Sequence, residues 1–162
     1  MEKEVSLRCG SLGRVGEEGR NLNKETFIRP EIFSWAGIRI VEAAEGRSRL
    51  ELQVEDHHRG GAGTNAINGG IVAYLFDGLL GMAVRSVWTE DVVRHATISL
   101  NIQYQRLVNV KETLVGCGHV TKAGGTTVFA VGEVYDDWGL VAASCTGIYR
   151  LFRRPVRSPD SQ

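Results

Sequence analysis

The sequence predicts an α+β domain in which one antiparallel sheet wraps a single long helix. Three observations carry that expectation: an apolar stretch at helical spacing from Asn68 to Trp88, four strand-like segments after it joined by short connections, and no second helix of comparable length. At 162 residues the chain suits one domain with one core. Nineteen basic residues balance nineteen acidic ones, so no overall field favours nucleic acid or an acidic surface. Twenty glycines against three prolines fit a sheet with many tight turns. Cys9, Cys117 and Cys145 are an odd set without metal-ligand spacing and no apolar leader follows Met1, so a reducing cytoplasm is the simplest compartment.

Residues 1–23 mix charges, glycines and serines without periodicity and read as a flexible arm. The domain itself is expected over residues 24–152. Asn23 to Trp35 allows a short helix, with Asn23 as a cap, Pro30 limiting its regularity, and Phe27, Ile28, Ile32, Phe33 and Trp35 available for packing. Gly37–Ala44 and Ser48–Glu55 alternate with period two around Glu45-Gly46-Arg47, which predicts a β-hairpin with Leu50, Leu52 and Val54 facing the core. A glycine-dense polar loop then runs into the helix. His57 and His58 are adjacent and would point apart in an extended chain, which argues against a shared metal. The loop's glycines do not make a dinucleotide fingerprint, because the preceding strand alternates like half of an antiparallel hairpin; nor is there a GK[ST] for a phosphate loop.

From Asn68 the spacing predicts a helix apolar on nearly every face, opened by Gly69 and Gly70 and carrying one acid, Asp77, near its middle. Two glycines at a helix start let a ligand approach the unsatisfied N–H groups of the first turn, an arrangement suited to an oxyanion. A purely structural reading stays open, since buried acids often only bond a nearby loop. Asp77 and Arg85 argue against a membrane span. Strands are expected over His95–Gln105, Glu112–Lys122, Thr126–Tyr135 and Leu140–Phe152, with turns at Ala123-Gly124-Gly125 and Asp136-Asp137-Trp138-Gly139. One helix and one sheet leave an edge uncovered, so self-association is expected. Residues 153–162 read as a flexible polar tail.

Asn68-Gly69-Gly70 through Leu75-Phe76-Asp77, then Thr97 to Tyr104, Gly118 to Thr126 and Gly132 to Ala142, together resemble the hotdog-fold acyl-CoA thioesterases, PaaI-like branch. The resemblance covers roughly residues 30–152 and rests on the order of the motifs rather than on any one of them. It implies that Asp77 is the general base or nucleophile, that Gly69 supplies the oxyanion N–H, and that the Thr97 hydroxyl orients the water or the acid. It also implies acyl-CoA as substrate, no cofactor, no metal, no nucleic-acid or membrane partner, and a homodimer or dimer of dimers. The turn at Lys122, Gly124, Gly125 and Thr126 is where relatives tend to meet CoA, or is simply a hairpin. The family's usual histidine before the glycine pair is Asn68 here, whose side chain can cap the helix or donate to a thioester carbonyl. A side-chain amide that relatives carry about six residues earlier has no match at Ala62; Asn65 is the substitute, with Gly70 beside it at the substrate.

Gly69 and Asp77 are eight residues apart, about 12 Å along one helix, too far to share a carbonyl group. Two copies with antiparallel helices would bring one chain's Gly69 to the other's Asp77. The leading expectation is therefore hydrolysis of a small aryl- or medium-chain acyl-CoA at a site shared by two subunits. The alternative is a hotdog module that binds acyl-CoA or a related ligand without hydrolysing it. Dehydratase relatives pair an acid with a histidine in motifs absent here. Tyr74, Phe76, Trp88 and Tyr104 could line an acyl pocket or pack the core.

Overall fold

The computed structural model describes residues 30–60 and 63–155. The Asn23 cap, Phe27, Ile28, Ala62, the arm expected over residues 1–23 and residues 156–162 of the tail expected over residues 153–162 lie outside them; Arg153, expected in that tail, is instead the last residue of a strand and pairs with Val92. Six antiparallel strands form one sheet, β1 (Ile38–Ala44), β2 (Arg47–Gln53), β3 (Val92–Tyr104), β4 (Thr113–Ala123), β5 (Thr127–Tyr135) and β6 (Val141–Arg153), in the order β1-β2-β4-β5-β6-β3. A short helix α1 (Pro30–Trp35) precedes the sheet, and the long helix α2 (Gly69–Arg85) sits between β2 and β3 in the chain. It touches all six strands, so the sheet curls around it as anticipated.

Each element follows from its residues. The β1–β2 hairpin turns on Glu45 and Gly46, both with positive φ, the backbone geometry that a two-residue turn between right-twisted strands demands. Leu50, Leu52 and Val54 point to the core as their alternation requires. On α2, Leu75, Phe76, Leu79 and Leu80 are fully enclosed, each stabilising the fold by roughly 1.5–3 kcal/mol. The helix can press onto the sheet because the strands beneath it carry no side chains there. A Cβ on Gly132 or Gly147 would come within 2.9 Å of Leu80, and one on Gly116 or Gly118 within 3.1 Å of Leu79.

Two expectations change. The long helix is not buried all round: Gly70 and Asp77 are exposed, and Ala73 and Gly81 only half-buried, which marks one uncovered stripe at helical spacing. Glycine and alanine read as apolar in a pattern, so the stripe was invisible beside the leucines. The short helix contributes less to the core than its apolar content implied, because Ile32 and Trp35 are 52% and 74% exposed while Phe33 alone of the three packs inward. Phe33 lies against Gly78 of α2. None of the helices among the described residues is long and apolar enough to cross a membrane.

Candidate active site

The start of α2 is set by Asn68, whose extended backbone places its Oδ1 to accept from the Gly70 N–H at 2.8 Å. Its Nδ2 reaches towards the Gly60 carbonyl at 3.5 Å. Asn68 N–H in turn donates to the His58 carbonyl at 2.9 Å, and the Gly69 carbonyl accepts from the Tyr104 hydroxyl at 2.6 Å. Gly69 N–H, at the first helical position, has no acceptor among the described residues. Asn65 is exposed, and its carbonyl accepts from the Arg59 guanidinium at 3.0 Å; the same guanidinium donates to the carbonyls of Val110 and Lys111 and so ties the loop down.

Two turns along, Asp77 stands on the uncovered stripe, where Thr97 Oγ1 donates to its Oδ1 at 2.7 Å. No side chain among the described residues donates to Oδ2. The charge of this carboxylate is felt around it: burial, and after it Asp77, pushes the pKa of the Tyr74 and Tyr149 phenols up, while burial chiefly pushes the Cys145 thiol up to about 11. His95, beside Gly81 on the next turn of α2, is held below the ordinary histidine range by burial and by Arg85, against the pull of Asp77.

β3 brings Thr97 and Tyr104 to the same helix, although seven residues separate them and simple alternation would put them on opposite faces. A register shift between Thr97 and Ser99 corrects the parity. The other predicted site residues fall elsewhere. Lys122, Gly124, Gly125 and Thr126 lie at the hairpin between β4 and β5, where Gly125 and Thr126 offer their carbonyls to Arg153 and Leu151. Arg153 pairs with Val92 at the start of β3, whereas Gly69 meets Tyr104 at its end, so one chain does not bring this turn to Asn65, Gly69 and Gly70. Of the four aromatic candidates, Phe76 is core and Trp88 stacks under Arg85 at 4.0 Å. Tyr74 sits one turn before Asp77 with Trp35 edge-on at 6.2 Å, and Tyr104 anchors Gly69. Tyr149 and His95 carry no site signal in the sequence, because each reads as an ordinary strand residue, and the sequence marks Tyr104 as an acyl-pocket or core aromatic rather than as the partner of Gly69.

A family model described as the thioesterase superfamily matches residues 64–143, which span the Asn68 cap, α2 and the strand that carries both Thr97 and Tyr104. A Halobacterium salinarum protein designated an esterase is 30% identical over 132 residues, covering 75% of this chain and 85% of that protein. The chain belongs to the thioesterase superfamily. It is a thioester hydrolase by that membership. Human acyl-coenzyme A thioesterase 13 is 34% identical over 92 residues, 57% of this chain, which spans only 63% of that relative's length. The Escherichia coli PaaI protein from the phenylacetic acid degradation operon superposes with a TM-score of 0.65 at 19% identity, covering 74% of this chain and 82% of that one. At that identity the likeness establishes the hotdog fold the two share.

Proposed function

We propose that this thioesterase hydrolyses a small aryl- or medium-chain acyl-CoA at a site shared by two copies of the chain. The reading is carried by one observation: the Asp77 carboxylate lies exposed on a stripe of an otherwise enclosed helix, held by Thr97 through one oxygen. The acyl-CoA class takes its support from the human relative's name. The acyl preference takes its support from Tyr74 and Trp35 beside the acid.

In this scheme Gly69 N–H of one subunit donates to the thioester oxygen, where negative charge builds as the carbonyl is attacked. Asp77 of the other subunit acts through its second oxygen. It either accepts a proton from the attacking water, or attacks the carbonyl itself to give an anhydride that water then opens; in both routes the CoA thiolate leaves. Thr97 fixes the carboxylate, and Asn68 fixes the first turn that presents Gly69. The substrate passes between Asn65 and Gly70 of one chain and the Lys122, Gly124, Gly125 and Thr126 turn of its partner. The uncovered stripe of Gly70, Ala73, Asp77 and Gly81 is small enough for a second helix to lie close, which would take Asp77 out of water.

The test is a panel of acyl-CoAs with a thiol-trapping dye, followed by subunit mixing. Asp77→Ala should lower kcat by about 10²–10⁴-fold, the usual contribution of a general base. Gly69→Pro should cost about 10²–10³-fold, the scale of one lost oxyanion donor. Proline suits a first helical position and costs no intrahelical bond, so the second variant folds. Mixing the two inactive chains should restore one intact site per heterodimer. No recovery on mixing sinks the shared site, and tight binding of acyl-CoA without Asp77-dependent turnover makes the chain a ligand-binding module instead.

A further inference from the structure

Tyr149 of β6 is the largest fully enclosed side chain among the described residues, and its hydroxyl has no hydrogen-bond partner among them. Burying a hydroxyl unpaired lowers stability, and phenylalanine would fill the same space without that penalty. The ring is nevertheless held in one place. A Cβ on Gly147 would come within 2.8 Å of its Cε2, and the His95 imidazole packs edge-on at 5.7 Å between centroids. Tyr149 is the cross-strand partner of Thr97. Thr97 gives its only hydroxyl proton to Asp77, so its oxygen still has lone pairs to accept with. The pairing places the phenol and the Thr97 hydroxyl at facing positions of adjacent strands. Burial and the Asp77 charge keep that phenol protonated, and therefore a donor, at any working pH.

We propose that Tyr149 is a positioning residue of the active site: its O–H donates to Thr97 Oγ1 during turnover, completing a chain Tyr149 → Thr97 → Asp77 that fixes the carboxylate against the substrate. Hydrogen bonds in such a chain polarise one another, so a donor behind Thr97 strengthens the bond Thr97 makes to Asp77. The hydroxyl left over in the resting chain is thus the reserve end of the site's own network. This inference rests on the reading that Asp77 performs the hydrolysis.

The experiment measures kcat, KM and Tm for Tyr149→Phe, Thr97→Val, their combination and Asp77→Ala, with Thr97→Ser as the conservative control. Tyr149→Phe should lower kcat about tenfold, the rate equivalent of one net hydrogen bond, with KM unchanged and Tm equal or higher. Added to Thr97→Val it should have no further effect, because its route to Asp77 is already cut. Added to Thr97→Ser it should again lower kcat. An unchanged kcat in Tyr149→Phe, or a loss that multiplies independently with Thr97→Val, overturns the proposal while leaving Asp77's role intact. Full turnover in Asp77→Ala ends both readings together.

Discussion

Asn68 shows how a single side chain decides what a helix start can do. Its Oδ1 occupies the Gly70 N–H, which leaves the Gly69 N–H as the donor turned outward. Beneath it, His58 is almost wholly enclosed, its Nδ1 accepts from the Glu55 N–H at 2.9 Å, and its carbonyl holds Asn68. Burial first and the neighbouring His57 next hold the His58 imidazole below the ordinary histidine value. Its folded pKa is depressed, so below about pH 6.5 the unfolded chain takes up a proton that the folded chain refuses, and stability falls as pH falls through that window. His95, also depressed, adds to the same slope. We expect Tm measured from pH 8 to pH 5 to decline on the acid side, and His58→Gln, which keeps an acceptor for Glu55, to flatten part of that decline. An undiminished acid slope in this variant would assign the effect elsewhere. At this scale the sequence made Asp77 and the Asn68 cap legible, since an acid in an apolar run and an Asn before two glycines are local signals, whereas Thr97 stood out only through the family resemblance. Tyr149 was not legible, because a buried phenol and a packed ring look alike in a strand pattern.

The elements were readable in number and order but not in the way two of them face the site. Strand β3 keeps period two on either side of Thr97, and the shift before Ser99 turns every later residue to the other face. A bulge inserts one residue without a composition signal, so no count along the sequence would have paired Thr97 with Tyr104. Helix α1 is the second case. Its apolar residues promised a packed lid, yet it holds on mainly through Phe33 over Gly78 and the Tyr74 hydroxyl donating to the Ile32 carbonyl at 2.9 Å. A Cβ on Gly78 would meet the Phe33 ring at 2.5 Å. Gly78→Ala gains about 1 kcal/mol of helix propensity and loses about 1–3 kcal/mol to overpacking, so the clash wins. Denaturant titration should show a net loss on the order of 1 kcal/mol, with the acyl-CoA KM shifted as α1 moves beside Tyr74. Phe33→Leu in the same chain should restore stability; failure to do so would place the strain outside this contact.

For the whole molecule, the feature that invites a second copy is β3, thirteen residues long at the edge of the sheet, with Val93 and Ile98 43% and 59% exposed. On the proposed scheme this edge lies beside the stripe that carries Asp77, so assembly and chemistry depend on one surface. Ile98→Lys puts a charge on it without touching the core. Sedimentation should then report a monomer with unchanged far-UV circular dichroism and little thioesterase activity, and an active monomer would count against the shared site. The sequence foretold the architecture, because the hydrophobic pattern of one chain determines where that chain folds. It could not foretell which face stays open, because that face was written in glycine and alanine. Those same small residues recur under Leu79 and Leu80, where the strands of the sheet run bare. The gap between the two layers is therefore gauged by main chain against leucine, a spacer that drift in the outward-facing residues leaves alone. Substitutions confined to the exterior of this chain therefore leave Asp77 standing at the same height above the sheet.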